Sequence, residues 1–132
     1  MREILFKAKH IMFDKWYEGY YVKMERLHYI CVLDEGFENG YRLVEINQET
    51  LCQYTGLTDK NGDKIWENDI VEIPREDDYF RIEWQDDTAS FVMNNDSFTV
   101  TFDNYWSYET EVIGNVFDST EFGADMRGEK ND

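Results

Sequence analysis

The sequence predicts a mainly β protein built from short antiparallel strands with little helix. Aromatic residues make up 17% of the chain, and together with the β-branched residues they favour strands over helices. Turn-forming residues recur roughly every 8–12 residues, which is typical of small β sandwiches and barrels. The chain has 132 residues, 42% of them hydrophobic, which is enough for the core of one domain or of two small units.

The first half of the chain predicts four strands and a short helical turn. Residues 4–13 form the first strand, and a turn at Asp14 precedes the second, "WYEGYYVKM". Gly19 in this strand allows a bulge or the close approach of a neighbouring backbone. The apolar run "HYICVL" and the segment "YRLVEI" form the next two strands. Asn47 is then expected to cap a helical turn that Gly56 ends in a left-handed conformation.

The segment "QYTGLTDKNGDKIWENDIVEI", residues 53–73, predicts a β-hairpin. Its Asn61-Gly62 pair favours a type I′ turn, because both central positions of that turn need positive φ. We expect the acids around this turn to be solvated, and Asp side chains are also suited to cap turn amides. The strand "DIVEI" then stops at Pro74.

The remaining residues predict further strands and a polar end. "REDDYF" is interpreted as a charged connection, and "FRIEW" alternates so that Phe80, Ile82 and Trp84 share one face. "SFVM" and "FTVTF" continue the pattern around the turn "NNDS", and "TEVIGNVF" closes the β part. A short helix is expected to start at Ser119, before a disordered polar tail at residues 123–132.

The chain is strongly and unevenly acidic. Its 29 acids and 13 bases give a net charge of −16, and residues 75–132 hold 15 of the acids and 4 of the bases. Such a charge repels phosphate backbones and disfavours direct binding of nucleic acid. It attracts basic proteins, and we take Asp77, Asp78, Asp86 and Asp87 as candidates for a contact surface. The simpler interpretation is that the acids keep a β-rich surface soluble.

The cysteines and the hydropathy pattern predict a cytoplasmic protein. Cys31 and Cys52 are far apart in sequence and have apolar neighbours, which indicates buried free thiols in a reducing compartment. Charged residues interrupt the N-terminal apolar run, so it does not resemble a signal peptide. No apolar run approaches the roughly 18 residues of a membrane span.

The sequence indicates neither a metal site nor a catalytic site. The run "DKNGD" imitates the start of a calcium loop, but Ile70 stands where the loop needs a bidentate Glu. His28 and Cys31 are three residues apart, which places them on opposite faces of a strand and disfavours zinc. No nucleophile, phosphate-binding or dinucleotide-binding motif is present. We therefore expect a non-enzymatic protein without a cofactor.

The segment "NYWSYE" brings Tyr105, Trp106 and Tyr108 into a tight cluster. Exposed Trp and Tyr residues favour protein interfaces, whereas buried ones fill a β core. An interface at this cluster would serve a homo-oligomer or another protein equally well.

Residues 53–73 resemble the signature of the YopX family, a group of small proteins from phages and prophages. The element at Trp16, Gly19 and Tyr20 and the end "YETEVIGNVFDST" are similar to the family too, while Asn68 stands where the family commonly has glycine. The family motif is carried here by Gln53, Tyr54, Thr55, Gly56, Leu57, Asp59, Lys60, Asn61, Gly62, Ile65, Glu67, Asp69, Ile70 and Val71.

The resemblance implies one mainly β domain at residues 1–122, with a second half shaped like a small SH3-type barrel. A subdivision into residues 1–52 and 53–118 is the alternative. The family supplies no catalytic residue, so its motif is interpreted as structural. We expect a phage or prophage accessory protein that acts as a non-enzymatic protein-interaction module. The alternatives are a homo-oligomeric assembly protein and an acidic DNA mimic that inhibits a nucleic-acid enzyme.

Overall fold

A computed structural model describes residues 3–118 and confirms the mainly β fold, with its strands in two antiparallel sheets. By contacts the chain divides into an N-terminal unit, Met1–Tyr54, and a C-terminal unit, Thr55–Asp132. The described strands are β1 Phe6–Lys9, β2 Trp16–Met24, β3 Leu27–Leu33, β4 Tyr41–Glu45, β5 Cys52–Thr58, β6 Lys64–Trp66, β7 Asp69–Ile73, β8 Asp78–Gln85, β9 Ser90–Asn94, β10 Thr99–Thr101 and β11 Glu111–Asn115. A 3-10 turn at Gln48–Thr50 and the helix α1 at Asn104–Glu109 complete the description.

The N-terminal unit is an antiparallel sheet in which β1 to β4 lie side by side in chain order. The first residues of β5 pair with the free edge of β1. Tyr21 lies opposite Ile30, and Ile30 lies opposite Val44, so their side chains share one face. This inner face carries the core of the unit: Ala8, Ile30, Val44 and Ile46 are buried, with Phe6, Tyr17, Tyr21, Val32 and Leu51 packed against them.

Gly19 allows the close backbone approach that the sequence predicts. A Cβ atom at this position would lie 2.1 Å from the carbonyl oxygen of Cys31 on β3. Because that separation is far below van der Waals contact, only glycine fits here without a shift of the backbone. The prediction for Gly19 is therefore confirmed.

The short helical turn begins where the sequence predicts it. The side-chain oxygen of Asn47 accepts a hydrogen bond from the Glu49 N–H at 3.0 Å, which confirms Asn47 as the cap. The role assigned to Gly56 was wrong, although its φ is +86°. The chain is already extended at Leu51 after a single 3-10 turn, so Gly56 lies inside β5 instead of ending a helix.

The C-terminal unit contains a meander of four strands, β7 to β10, followed by α1 and by β11, which returns to pair with β7. In the described residues this five-stranded sheet is open, with β10 and β11 at its two edges, so the expected barrel is not confirmed. Its core consists of Ile65, Val71, Ile73, Phe80, Ile82, Phe91, Met93 and Phe102, with Leu57, Val100, Trp106 and Val112 packed against them.

Several sequence predictions for this unit differ from the structure in detail. Strand β8 already starts at Asp78, inside the segment interpreted as a connection, because Asp78 pairs with Ile73 across the hairpin. The side chains of Phe80 and Ile82 are buried, but Trp84 near the strand end is exposed. The helix expected from Ser119 and the expected tail at 123–132 lie outside the described residues.

Candidate interaction surfaces

The hairpin loop of the family motif is organised by a buried carboxylate. Asp59 is only 2% exposed, and its Oδ1 accepts hydrogen bonds from the N–H groups of Asn61 at 2.8 Å and Asp63 at 3.0 Å. The prediction that an Asp caps turn amides is confirmed, whereas the prediction that Asp59 is solvated was wrong. Oxygen atoms of this carboxylate replace water as acceptors for two loop amides.

The turn type predicted for this hairpin was also wrong. Asp59 and Asp63 close a loop of three residues, and the Gly62 N–H donates to the Asp59 carbonyl at 3.0 Å. Among the loop residues only Gly62 has positive φ, at +85°. This is the arrangement of a three-residue loop with glycine in the left-handed position, rather than a two-residue type I′ turn.

The same loop holds the start of β11. Oδ2 of Asp59 accepts from the Val112 N–H at 2.9 Å, and the Lys60 N–H donates to the Thr110 carbonyl at 3.0 Å. The Asn61 side-chain amide reaches Glu111 Oε1 at 3.1 Å. These bonds join residues 50 or more positions apart in sequence, so Asp59 and the loop around it connect two distant segments of the C-terminal unit.

A second tie lies at the turn between β6 and β7. Oδ2 of the buried Asp69 accepts from the Trp66 N–H at 2.8 Å. Asn68 has a φ of +72°, and its side-chain oxygen accepts from Arg81 Nη2 at 2.8 Å. Asparagine tolerates the left-handed region better than other L-residues, which explains why this position accepts asparagine in place of glycine.

The remaining motif residues are not arranged as an exposed site. Thr55 Oγ1 donates to the Ile65 carbonyl at 2.7 Å and accepts from the Leu57 N–H at 3.2 Å. Gln53, Gly56 and Leu57 are partly buried, and Lys60, Asn61 and Gly62 are at the exposed loop tip. The buried members of the motif are Tyr54, Thr55, Asp59, Ile65, Asp69, Ile70 and Val71.

The aromatic cluster at "NYWSYE" lies on α1, which the strand-based sequence analysis missed. Oδ1 of Asp103 accepts from the N–H groups of Tyr105 at 3.1 Å and Trp106 at 3.4 Å, as an N-cap does. This Asp was the available sequence signal. Trp106 packs against the core, and the ring of Tyr105 lies edge-on to it with the two centroids 4.9 Å apart. Tyr105 and Tyr108 are 64% and 65% exposed.

The four candidate aspartates do not form one patch. Asp77 and Asp78 lie where β7 turns into β8, and Asp86 and Asp87 lie where β8 turns into β9. Strand β8 separates the two pairs by about 25 Å at the usual rise of ~3.3 Å per residue. The structure therefore gives two small acidic turns at opposite ends of β8.

One of these turns perturbs a neighbouring phenol. The Tyr79 hydroxyl donates to Asp77 Oδ1 at 3.1 Å. This hydrogen bond, followed by that of Glu72, raises the pKa of Tyr79 to about 12. Both carboxylates favour the neutral phenol, since ionisation would remove the shared proton and add a like charge.

An exposed apolar surface lies in the N-terminal unit, on strands for which the sequence analysis proposed no interface. Strand alternation and register place the outward side chains of β2, β3 and β4 on one face, opposite the core. Met24 lies opposite Leu27, and Leu33, which is 76% exposed, lies opposite Tyr41. We call this the outer apolar face, formed by the exposed residues Tyr20, Met24, Leu27, Leu33, Tyr41 and Leu43.

A pocket opens on the outer apolar face. Its volume is about 280 Å³, and its lining includes Tyr20, Cys31 and Leu33 together with the acidic residues Glu3 and Glu18. Cys31 is a half-buried free thiol, so its predicted burial is only partial, whereas Cys52 is a buried free thiol as predicted.

A separate apolar feature is the loop between β1 and β2. Met12 at its tip is 79% exposed, with Ile11 and Phe13 also exposed beside it. The loop is held by the Met12 N–H, which donates to His10 Nδ1 at 3.0 Å, and by the Lys15 N–H, which donates to the Phe13 carbonyl at 2.9 Å.

Within residues 3–118, no group of three or more His, Cys, Asp or Glu side chains is arranged to hold a metal ion. The same residues contain no helix that is both long and apolar enough to cross a membrane. His28 and Cys31 lie on β3 three residues apart, and thus on opposite faces.

These features define a mainly β protein with two sheet-based units, an internally tied hairpin motif and an exposed apolar sheet face. The model of the YopX protein family matches residues 5–122, and the chain belongs to that family. The resemblance seen in residues 53–73 is thereby confirmed. A comparison with curated proteins finds no match.

Proposed function

We propose that this chain is a non-enzymatic protein-interaction module whose binding surface is the outer apolar face. The observation that carries the proposal is the exposure of six large apolar side chains on neighbouring strands. At roughly 200 Å² for each fully exposed side chain, their exposed fractions correspond to about 600 Å². An apolar patch at the upper end of the range for monomers is often a functional surface, which supports an interaction site here.

The family motif supports a structural role rather than a reactive one. Asp59, Asp69 and Thr55 are buried, and each makes hydrogen bonds to backbone groups of nearby loops and strands. A catalytic carboxylate would instead be aimed at a cleft where substrate can bind. Free thiols at Cys31 and Cys52 support a reducing compartment such as the cytoplasm of a bacterium. The resemblance of residues 53–73 to the YopX family supports a phage or prophage accessory protein.

The test is affinity capture from nuclease-treated lysate of the source bacterium that also contains an untagged copy of the chain. The tagged baits are the wild type, Leu33→Glu on the outer apolar face, and Met12→Glu on the loop between β1 and β2. Met12 and Leu33 are similarly exposed, at 79% and 76%, so the two charge insertions are matched. We expect the wild type and Met12→Glu to retain a stoichiometric protein that Leu33→Glu loses. Equal capture by all three baits, or capture by none, would refute the proposal.

A second candidate function is binding of a basic protein surface by the C-terminal unit, including mimicry of DNA. The supporting observation is the division of charge: residues 1–54 hold 9 acids and 7 bases, whereas residues 55–132 hold 20 acids and 6 bases. Replacing Asp77, Asp78, Asp86 and Asp87 by Asn should then weaken binding and flatten its salt dependence. Binding that is unchanged in this variant would remove the second candidate.

We also propose that the C-terminal unit is related to small barrels of the SH3 type. The support is its connectivity, in which a four-stranded meander is followed by a helical turn and a last strand that pairs with the first. A crystal structure of the full chain tests this proposal. A flat, uncurled five-stranded sheet would contradict it.

A further inference from the structure

We infer that the outer apolar face is occupied by a second copy of this chain, so that two N-terminal sheets pack face to face about a two-fold axis. This inference rests on the proposed function and names the partner of that surface. Sheets that pack in this way bring two flat apolar faces together at about 10 Å. The chain itself supplies a second face of the same shape, area and chemistry.

The layout of the face suits a self-complementary contact. Leu33 is the most exposed member of the face, and it contributes to the lining of the pocket that Tyr20 and Cys31 also line. With a two-fold axis near this point, the projecting side chain of each copy would face the pocket of the other copy. Isologous contacts of this kind require the projection and the recess to lie close together on one surface.

The area matches what a stable dimer needs. The six exposed side chains correspond to about 600 Å² on each copy, at roughly 200 Å² for a full side chain, and the half-buried Trp16, Val22, Tyr29 and Cys31 around them add to this area. Standard protein interfaces bury roughly 600–1,000 Å² on each partner. The apolar face is therefore large enough to form such an interface.

The charge distribution permits self-association through this unit. Two copies of a chain with a net charge of −16 repel each other, but residues 1–54 carry 9 acids and 7 bases, a net of −2. On β2 to β4 the outward charged positions are Glu18 and Glu45, and Glu3 lines the pocket. On the neighbouring β1, the ammonium groups of Lys7 and Lys9 lie over the ring of Trp16. A face on which the few charges of both signs nearly balance has little electrostatic preference for a strongly acidic or basic partner, and it fits a surface with the same balance.

Sedimentation equilibrium of the purified full chain over a wide concentration range tests the inference. We expect a wild-type dimer, a dimer of Met12→Glu, and dissociation constants raised about 100-fold or more for Leu33→Glu and Leu43→Glu, since each buries an unpaired carboxylate. Circular dichroism verifies that every variant is folded, and the two Glu variants on different strands guard against a local defect at either site. A wild type that is monomeric throughout, or folded Glu variants that dimerise like the wild type, would overturn the inference.

The free thiols provide an independent readout in the same samples. Cys31 lies on the outer apolar face, whereas Cys52 is buried. Alkylation of Cys31 should slow as the wild-type concentration rises and should stay fast in Leu33→Glu, while Cys52 serves as the internal reference. Concentration-independent alkylation of Cys31 would count against the dimer. A monomeric pure chain whose face still captures another protein from lysate would refute the dimer and leave the proposed function in place.

Discussion

Removing the carboxylate of Asp59 should destabilise the C-terminal unit much more than a change to an exposed acid of the same loop. The side chain is almost fully buried and accepts hydrogen bonds from the N–H groups of Asn61, Asp63 and Val112. Asp59→Ala leaves all three donors without this acceptor. At about 1–1.5 kcal/mol for each partly buried donor, the free energy of unfolding should fall by about 3–4 kcal/mol.

Graded substitutions at the same loop separate this explanation from general damage. Asp59→Asn keeps one acceptor oxygen and should lose about 1–2 kcal/mol, since part of the set of hydrogen bonds survives. Asp63→Ala changes an exposed side chain of the same loop, so its effect should stay within about 0.5 kcal/mol. Urea denaturation followed by tryptophan fluorescence measures all three variants. Trp66 and Trp106 both belong to the C-terminal unit and report on it.

Hydrogen exchange locates the damage. The Val112 amide at the start of β11 is held by Asp59 Oδ2, so it should exchange faster in Asp59→Ala than in Asp63→Ala. A loss below about 1 kcal/mol in Asp59→Ala, or an equal loss in Asp63→Ala, would show that the buried carboxylate does not hold the loop to β11.

Three further predictions concern single positions elsewhere. In a spectrophotometric titration, the wild type should show one phenol with a pKa of about 12 that is missing from Tyr79→Phe. Asp77→Asn should lower the pKa of this phenol towards the ordinary value of 10.0. Because the folded-state pKa is raised, the stabilisation from the neutral Tyr79 phenol is complete below pH 10 and is lost as the pH rises through about 12. Asn68→Ala should lower the free energy of unfolding by about 1–2 kcal/mol, because the backbone φ of residue 68 is positive. Asn68→Gly should lower it less, because glycine adopts positive φ without strain, and equal losses in the two variants would contradict this explanation. Gly19→Ala should cost about 3 kcal/mol or more in urea denaturation, because its Cβ would meet a carbonyl oxygen on β3, and a mild effect would refute the predicted close approach.

Local sequence patterns were sufficient to predict those features of the structure that depend on residues adjacent in sequence. The cap at Asn47, the close approach at Gly19 and the hairpin at Asn61-Gly62 were all predictable, since each follows from the chemistry of one or two side chains. The turn type of this hairpin was not predictable from the sequence. A two-residue and a three-residue loop share the same Asn-Gly signal, and they differ only in how the strands pair around it. The helix α1 was missed because its six residues carry an aromatic composition that favours strands.

The sequence by itself determined the β content, the family and the residues of the motif, because periodicity and turn chemistry are local. Only the tertiary structure decided that Asp59 is buried, since its third donor is the amide of Val112, 53 positions later. It also decided which face of β2 to β4 is the core. Both faces are apolar in sequence, and strand alternation is symmetric between them, so burial depends on which face the rest of the unit covers. The face left uncovered is the one that we propose for association.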